Sequence, residues 1–503
     1  MRLGVDFGTT RTIVAAVDRG NYPIVAFHDP DGDTHDHVPS VAALDRGRLV
    51  FGHRALAAAR DHGAPLARSF KRVLGSPEVH AGTTVRLGET EVPVVEVLTG
   101  YLAALREELR QRSTVADQLG ATVSATVAVP AHAFGAQRFL TLQAFRAAGF
   151  DVLAMLNEPS AAGFEYTHRH ARTLTSHRTQ VVVYDLGGGT FDASVVGVEG
   201  TRHEVLSSVG LNHLGGDDFD QVLADLAVAA AGAEAGEALD RTALLEECRQ
   251  AKERLTPQSR KILLEVADRA VAVPVGDFYE AAGPLVETTL DAMEPLVGEP
   301  GEAGAELSAV AGVYLVGGAS ALPLVPRRLR ERFGRRVHSS PYPAASTAIG
   351  LAIAADTEAG YSLSDRLSRG FGVFREGRAG QEVAFDELLS RHERVSLEGD
   401  VVLSRAYRAA HNVGWFRFVE YVDLDVRGEP QGALLPFADV VFPFDAQLQD
   451  GRDLRDVEVL RVGHGPWIEE EYVIDRHGII EVRITDHDTG YHRAFTLDLA
   501  AGS

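Results

Sequence analysis

The sequence predicts a two-lobed α/β domain followed by an all-β, sandwich-like domain. Over about the first 360 residues, β-rich runs alternate with helical patterns, which is typical of α/β proteins that bind ligands beyond their strand ends. Two segments, "VDFGTTRTIVAAV" at residues 5–17 and "YDLGGGTFDASVVGV" at residues 184–198, share one layout and indicate two related lobes. After residue 360, aromatic and β-branched runs separated by turn signals replace the helical periodicity.

The elements of the first region follow from short-range patterns. Strand-like runs bounded by glycine, proline or polar residues are found at 2–8, 12–17, 122–130, 179–187, 193–200 and 312–318. Helical periodicity is found at 96–112, 136–148, 217–231, 241–255 and 323–333. We expect an α/β domain at 1–358, with lobe I at about 1–175, lobe II at about 178–345 and a closing helix at 344–358. A linker at 359–372 and a β-sandwich at 373–503 complete the expected organisation.

Composition and charge exclude several classes of protein. The 503 residues carry 49 Lys and Arg against 71 Asp and Glu, a formal charge of −22, so general nucleic-acid binding is not expected. The single cysteine, Cys248, cannot form an intrachain disulfide, and no Cys/His spacing is typical of zinc. The N-terminus begins with a strand and no apolar run has the length of a membrane span. We expect a cytoplasmic protein that binds neither nucleic acid nor membrane.

The glycines of the two similar segments lie at the tips of expected hairpins. Glycine leaves backbone N–H groups accessible to a ligand, threonine adds a hydroxyl donor, and the aspartate before each tip can hold a cation. Two facing tips could therefore clamp a polyphosphate with magnesium. One Asp-x-Gly turn alone indicates only a hairpin, and it is the repetition that favours nucleotide binding. The absence of GxxxxGK[ST] and GxGxxG disfavours a P-loop enzyme and a dinucleotide fold.

A third glycine pair, Gly317-Gly318, ends the apolar strand of "VYLVGGAS" and precedes a helix that starts at a proline. Because glycine has no side chain, the backbone at this pair could lie flat against a base or a ribose. A strand–Gly–Gly–helix turn is also common in plain α/β packing, so both interpretations stay open.

With these motifs in order, the chain resembles the 70-kDa heat-shock (DnaK-type) chaperone family of the actin-like ATPase superfamily. "GVDFGTT" and "VYDLGGGTFD" resemble its two phosphate loops, "HLGGDDFD" its ribose-side loop and "YLVGGAS" its adenosine loop. "SFKRVLG", "NEPSAAGFEY" and "AKERLT" match further family segments. Near the C-terminus, "YVIDRHGIIEVRITDHDTG" resembles part of the family's peptide-binding β-sandwich, whereas similarity is faint between residues 361 and 470.

The resemblance implies ATP or ADP as ligand and roles for individual residues. Phosphate contacts are implied for both hairpin tips: Gly8, Thr9, Thr10, Arg11, Gly187, Gly188, Gly189 and Thr190. The implied nucleoside pocket contains Gly216, Lys252, Thr256, Gly317 and Gly318. The implied catalytic set is Lys71, Glu158, Asp185, Thr190 and Asp192. Asp6 and Asp185 are implied to organise Mg²⁺, and also K⁺, through water.

Three of these residues also have purely structural interpretations. Lys71 would place its ammonium near the γ-phosphate, where a point charge stabilises the transferred phosphoryl group, but without its motif it would be an exposed helix lysine. Glu158 would order water or the metal shell, yet Asn157-Glu158-Pro159 also suits a helix start. Lys252 could be an i,i+4 partner on its own helix.

The chain departs from the family at the nucleoside side. Arg249 replaces the family's ribose-side glutamate, Glu253 replaces an arginine that packs on adenine, and Ala321 replaces another arginine. Ala344-Ala345 replaces an acidic pair. These changes imply an altered nucleoside affinity together with intact phosphate contacts.

The connector and the end of the chain also depart from the family pattern. Leu363 and Leu367 are separated by polar residues where the family has consecutive leucines after an aspartate, which argues against the usual coupling between domains. We also expect no helical lid after the β domain, and therefore rapid release of bound peptide.

The expected function is an ATP-hydrolysing chaperone whose β domain binds extended or unfolded peptides weakly and reversibly, in protein folding and stress response. The resemblance also implies a J-domain co-chaperone and a nucleotide exchange factor as partners. Two alternatives stay open. One is a nucleotide-dependent scaffold that binds one specific folded partner, which the odd connector favours. The other is a small-molecule kinase, for which we find no sugar-binding motif with its own catalytic base.

Overall fold

The computed structural model describes residues 1–80, 82–131, 133–232, 240–267, 269–297, 308–366, 369–377, 382–390, 394–396, 399–432 and 434–496. Over these residues the chain forms two α/β lobes, each on its own central sheet, and a C-terminal pair of four-stranded sheets. None of the helices in these described parts combines the length and apolar character that a bilayer-spanning helix requires.

The first lobe is built around a sheet that mixes parallel and antiparallel strand pairs. Its strands are β1 (Arg2–Phe7), β2 (Arg11–Ala16), β3 (Phe27–His28), β4 (Thr34–His35), β5 (Val38–Pro39), β6 (Val41–Asp45), β7 (Arg48–Phe51), β8 (Leu66–Arg68), β9 (Thr84–Leu87), β10 (Thr90–Pro93), β11 (Val123–Val129) and β12 (Phe150–Asn157). Its helices are α1 (Gly52–His62), α2 (Val94–Gln111), α3 (Gly135–Ala147) and α4 (Glu158–His170), with 3₁₀ turns at Phe70–Gly75, Ala116–Gln118 and Ala171–Thr173. The central sheet has the order β12-β11-β1-β2-β5. Phe7, Tyr101 and Phe145 pack together in its core.

The second lobe repeats the plan of the first. Its strands are β13 (Gln180–Leu186), β14 (Phe191–Glu199), β15 (Arg202–Leu211), β16 (Lys261–Val266), β17 (Arg269–Pro274), β18 (Val310–Val316) and β19 (Val337–Ser339). Its helices are α5 (Gly216–Ala231), α6 (Arg241–Glu253), α7 (Val275–Ala292), α8 (Glu294–Val297) and α9 (Leu324–Phe333), with 3₁₀ turns at Gly318–Ala321, Gly334–Arg336 and Pro343–Ala345. β13 pairs antiparallel with β14 and parallel with β18, just as β1 pairs with β2 and β11. The internal similarity of the two hairpin segments therefore corresponds to the same position in both lobes.

A last helix, α10 (Ser346–Ala355), returns from the second lobe to pack on the first. Almost all of its residues are buried, which its apolar sequence "STAIGLAIAA" permits. It approaches β1 and α4 so closely that a Cβ on Gly350 would overlap the carbonyl oxygen of Ala161, and a Cβ on Gly4 would overlap that of Ala348. Glycine is required at both positions because of this close packing.

The five predicted helical segments correspond to α2, α3, α5, α6 and α9, with ends that differ by at most two residues, and the expected closing helix at 344–358 corresponds to α10. The patterns did not indicate α1 or α7, and they indicated α4 only through the alternative interpretation of Asn157-Glu158-Pro159 as a helix start. α7 contains Pro284, a residue that normally interrupts a helix because it lacks a backbone donor. Tertiary packing of its apolar face therefore outweighs the local signal.

The C-terminal domain is a β-sandwich. Its strands and those of the connector are β20 (Ser362–Arg366), β21 (Gly370–Gly377), β22 (Glu382–Leu389), β23 (Arg394–Ser396), β24 (Val401–Arg408), β25 (Val413–Tyr421), β26 (Asp423–Leu424), β27 (Pro430–Gln431), β28 (Leu435–Pro443), β29 (Trp467–Ile474), β30 (Ile480–Asp486) and β31 (His492–Thr496). A 3₁₀ turn at Ala446–Leu448 follows β28. The two sheets have the orders β22-β21-β25-β28 and β24-β29-β30-β31. Phe371, Phe418, Tyr472 and Ile484 contribute to one core between them.

The connector joins the second lobe through its backbone. β20 lies within the expected linker and pairs in parallel with β15, and β23 pairs with β20, so both extend the seven-stranded sheet of that lobe. The start of the C-terminal region is therefore attached to the lobe by a β-ladder.

Candidate functional site

The two glycine hairpins meet tip to tip between the lobes. The turn that joins β1 to β2 lies against the turn that joins β13 to β14. A Cβ on Gly188 would come within 2.6 Å of the side chain of Thr10, and a Cβ on Gly189 would come within 2.8 Å of Thr9. The consecutive glycines of the second hairpin are therefore required by the close approach of the first hairpin.

An open cleft of about 1010 Å³ lies beside these tips. The predicted residues that line it are Asp6, Gly8, Thr9, Thr10, Arg11, Lys71, Glu158, Asp185, Gly187, Gly188, Thr190, Gly216, Lys252, Gly317 and Gly318. Both lobes contribute backbone N–H groups, hydroxyls and charges of both signs, the donor set that a polyphosphate needs.

Three predicted residues lie outside this lining. Gly189 lies at the second tip, but its carbonyl faces Arg72 at 3.3 Å. Asp192 is 2% exposed and lies behind Asp185 in the paired strand. Thr256 is exposed beyond the end of α6, where its amide donates to Ser259. Asp192 accepts the amide of Ala131 at 3.1 Å, and its charge contributes to the raised pKa of Asp185.

Lys71 is a buried cation in the 3₁₀ turn Phe70–Gly75. Its side chain is 5% exposed, and its ammonium donates to the carbonyl of Phe7 and lies 3.2 Å from Glu158. The ammonium also lies 5.3 Å from the centre of the Phe7 ring. The interpretation of Lys71 as an exposed helix lysine is therefore wrong. Glu158 is both the first residue of α4 and the partner of Lys71, so the helix start and the site coincide.

Several carboxylates lie close together at the floor of the cleft. Burial and the charge of Glu158 raise the pKa of Asp6 to about 7, although Lys71 acts in the opposite direction. Burial raises the pKa of Asp185 well above its usual range, and Glu158, Asp6 and Asp192 add to this effect. Because a divalent cation would relieve this repulsion, and carboxylate oxygens are hard ligands, these residues fit Mg²⁺.

The third glycine pair closes the cleft on the side of the second lobe. Gly317 has a left-handed φ of 82°, and a Cβ there would overlap the carboxylate of Asp185. Lys252 is 6% exposed, donates to the carbonyl of Gly216 at 2.6 Å and pairs with Asp220 at 2.6 Å. Its partner lies on α5, so the interpretation of Lys252 as an i,i+4 partner on its own helix is wrong.

Two of the residues that depart from the family pattern, Arg249 and Glu253, form ion pairs with other charges of the chain. Arg11 from the first lobe pairs with Glu253 from the second. Arg68 of the first lobe lies 2.8 Å from Glu246 of the second, and Glu246 also pairs with Arg249. The Arg11–Glu253 pair lies at the cleft on the side expected for the nucleoside, and the Arg68–Glu246 pair is a second connection between the lobes.

Further residues line the cleft that sequence reasoning did not select as site residues. They are Arg72, Gly75, Pro130, Gln137, Asn212, Asp217, Asp220, Ala319 and Thr347, together with Arg249, Glu253 and Ala344, which the sequence analysis named only as departures from the family. Arg72, Asp217 and Asp220 belong to the quoted motifs "SFKRVLG" and "HLGGDDFD", so these motifs carried a usable signal. Thr347, in the first turn of α10, lowers the pKa of Asp185 against the effect of burial, and such a contact has no local signature.

The β-sandwich contacts the first lobe at α3. The amide of Gly135 donates to Glu420 at 2.8 Å, and Arg138 donates to the carbonyl of His477 at 3.1 Å. Arg138 also donates at 3.1 Å to Asn157, the residue before Glu158. A line of polar contacts therefore runs from the β-sandwich to the floor of the cleft.

The fold and the cleft define a two-lobed α/β protein of the actin-like class with a β-rich C-terminal domain. A family model described as "Hsp70 protein" matches residues 2–367. The chain belongs to the Hsp70 family.

Curated relatives agree with this assignment. The chain is similar to the "Chaperone protein HscA homolog" of Pseudomonas aeruginosa (strain LESB58), with 34% identity over 395 residues that cover 73% of this chain and 59% of the relative. It is also similar to the "Chaperone protein HscA" of Cronobacter sakazakii, with 35% identity over 370 residues that cover 70% of this chain and 57% of the relative. The "Chaperone protein HscA homolog" of Bordetella petrii is 34% identical over 382 residues, 72% of this chain and 59% of the relative. The matches thus span less than two thirds of the relatives' length.

Proposed function

We propose that this protein is an ATP-hydrolysing chaperone whose nucleotide state controls the binding of extended peptides to its β-sandwich. The observation that carries this proposal is the meeting of the two glycine hairpins beside a buried Lys71–Glu158 pair. The tips supply phosphate donors from both lobes at one place. The charged pair lies at the base of the same cleft.

In this proposal each residue of the cleft has one chemical task. The hairpin tips bind and orient the phosphates through backbone N–H groups and the hydroxyls of Thr9, Thr10 and Thr190. Lys71 stabilises negative charge on the transferred phosphoryl group, and Glu158 orients the attacking water. Asp6 and Asp185 would hold Mg²⁺, which would neutralise phosphate charge when bound.

The proposed coupling uses the contacts that leave the cleft. Arg138 bonds both to Asn157, beside Glu158, and to His477 of the β-sandwich. β20 attaches the connector to the sheet of the second lobe. A change in lobe closure would therefore alter both attachments of the β-sandwich, even though the leucine pattern of the connector is unusual. An extended client would then bind by strand addition and apolar pockets, and a J-domain protein and an exchange factor would be regulators.

Two measurements on the full chain test the proposal. Purified protein with ATP and Mg²⁺ should release phosphate without an added acceptor, and this release would also exclude a small-molecule kinase. A fluorescent unfolded peptide should bind, and its dissociation rate should differ between ATP and ADP. If ATP is hydrolysed but no tested peptide binds in a nucleotide-sensitive way, the chaperone part of the proposal is wrong.

A second candidate is a nucleotide-dependent scaffold that binds one folded protein. The family match ends at residue 367, so the β-sandwich lies outside the matched region and this observation favours a specialised partner. A pull-down with ATP and with ADP distinguishes the candidates. One stoichiometric partner would favour the scaffold, whereas many unfolded proteins in substoichiometric amounts would favour the chaperone.

A further inference from the structure

Histidines and aspartates form a compact cluster in the first lobe, away from the cleft. The segment "HDPDGDTHDH", residues 28–37, contains three histidines and four aspartates in ten positions. The short hairpin of β3 and β4 folds this segment back on itself, with His28 opposite Thr34. His53, in the first turn of α1, is added to the cluster from a different element.

The geometry of three of these side chains is that of a candidate metal site. Asp29 Oδ2 lies 2.9 Å from His35 Nε2. The rings of His35 and His53 have their centroids 4.4 Å apart, and one donor atom from each of the three residues lies within 4.8 Å of the other two. The ring of His37 is 6.3 Å from that of His35 and 6.4 Å from that of His53.

Hydrogen bonds around these side chains hold two of them in place. Asp29 Oδ1 accepts the amides of Asp31 and Asp33 at 3.0 and 2.9 Å, which leaves Oδ2 directed at His35. His53 Nε2 lies 3.2 Å from the carbonyl oxygen of His37. When His53 donates this bond through Nε2, its Nδ1 is the acceptor nitrogen, and metal-ligating histidines commonly show such a bond to a carbonyl.

We propose that Asp29, His35 and His53 form a binding site for a divalent transition-metal ion of borderline softness, with Zn²⁺ as the probe. Imidazole nitrogen and carboxylate oxygen are ligands that Zn²⁺ uses, whereas Mg²⁺ and Ca²⁺ prefer oxygen alone. Bonds of about 2.0–2.2 Å would place tetrahedral ligands roughly 3.3–3.6 Å apart, so donor atoms that lie within 4.8 Å of one another would have to approach by at most about 1.5 Å. Side-chain rotation of partly buried groups can supply this movement.

The cluster is separate from the cleft but contacts the element that supports it. β5 follows His37 and pairs with β2. The next residue, Ser40, donates its amide to Thr10 at 3.0 Å and its hydroxyl to Gly8 at 2.8 Å. An ion in the cluster would therefore fix the strand that buttresses the first hairpin. The sequence alone gives no zinc motif, because His53 lies on another element.

Calorimetric titration of ZnCl₂ into the chelator-treated full chain tests the proposal. The titration is done in excess Mg²⁺, which occupies oxygen-only sites, so that the carboxylates of the cleft do not contribute. We expect one saturable equivalent of Zn²⁺ per chain. Asp29→Asn and His53→Gln should each weaken binding by at least about tenfold, whereas His62→Gln, at the exposed end of α1, should keep the wild-type affinity.

Thermal unfolding without and with Zn²⁺ supplies a second readout that does not depend on the cleft. Zn²⁺ should raise the midpoint of the wild type and of His62→Gln by mass action, and should not raise that of His53→Gln. If His53→Gln or Asp29→Asn has a lower midpoint without metal, His35→Gln replaces it in the comparison. The proposal is overturned if Zn²⁺ binds without saturation, if His62→Gln loses as much affinity as His53→Gln, or if the cluster variants bind as the wild type does.

Discussion

Replacement of Lys71 by methionine removes the buried ammonium and keeps most of the length and apolar surface of the side chain. In the wild type this group is 5% exposed, and it bonds the carbonyl of Phe7 and the carboxylate of Glu158. We expect the turnover number for ATP to fall about 10²–10³-fold, or roughly 3–4 kcal/mol, the usual cost of losing one preorganised group that stabilises transition-state charge. Burial makes this loss large because water cannot replace the ammonium easily.

The same change has a separate effect on stability. Without Lys71, Glu158 loses its partner and continues to repel Asp6, whose pKa is already raised to about 7 by burial and by Glu158. Removing one partner of a buried ion pair lowers the free energy of unfolding by about 3–5 kcal/mol. We expect a somewhat smaller loss here, because the side chain of Glu158 is 12% exposed. The double variant Lys71→Met/Glu158→Gln should recover most of the stability but none of the turnover.

Single-turnover phosphate release and calorimetric ADP binding separate these effects. ADP affinity should stay within about threefold of wild type, which is under 1 kcal/mol, because ADP lacks the phosphoryl group on which Lys71 is proposed to act. Thermal unfolding of each variant checks that the purified protein is folded. A folded Lys71→Met protein that retains phosphate release within about fivefold of wild type would refute the assignment of Lys71 to the reacting phosphoryl group.

Three further predictions test the packing, the interface and the cleft mouth. Gly350→Ala should lower the thermal unfolding midpoint, because the added methyl group would push α10 away from α4 at a cost of about 1–3 kcal/mol or more. Gly276→Ala is the control, because a methyl group there meets open space and should leave the midpoint unchanged. Equal midpoints for the two variants would contradict this prediction. Burial raises the pKa of Glu420 from 4.5 to about 7, so the docked β-sandwich favours the protonated carboxyl. The contribution of Glu420 to the docking of the β-sandwich is therefore full below about pH 4.5 and is lost as the pH rises through about 7. Amide hydrogen exchange at the interface should show this pH dependence in the wild type, and Glu420→Gln should remove it. Arg11→Ala and Glu253→Ala should each speed nucleotide release at low salt, by only about two- to fivefold because the ion pair is partly exposed. The effects of the two substitutions should not add in the double variant, because both remove the same contact. Additive effects on the release rate in stopped-flow measurements would argue against a shared contact.

The hairpins could be predicted from the sequence because their signals are local. An aspartate, a glycine and a hydroxyl residue between two strands specify the turn, and the repetition of this layout indicates that both turns serve one ligand. The sequence could not show that Thr9 and Thr10 lie against Gly188 and Gly189, because that contact depends on how the lobes close. The glycines therefore have a packing role that hairpin statistics do not contain.

The connector shows a different limit of sequence reasoning. The separated leucines at positions 363 and 367 gave no indication that β20 joins the second lobe by main-chain pairing with β15. Backbone N–H and C=O groups are present in every residue, so side-chain patterns specify such pairing only weakly. Thr347 and His53 illustrate the same limit for side chains, since each reaches its partners from a different element.

The charged residues that depart from the family pattern, Arg249 and Glu253, belong to the network of ion pairs that connects the two lobes. Considered one at a time, Arg249 and Glu253 each stand where the family resemblance implies a different residue at the nucleoside. Together with Arg11, Arg68 and Glu246 they form ion pairs that connect the lobes within the protein itself. Under the proposed function, an entering nucleoside would have to compete with pairs that already hold the lobes close, whereas the phosphates would meet two complete hairpin tips. Because exposed ion pairs weaken with salt, cleft opening in this chain should respond to ionic strength more than the phosphate contacts in its interior do.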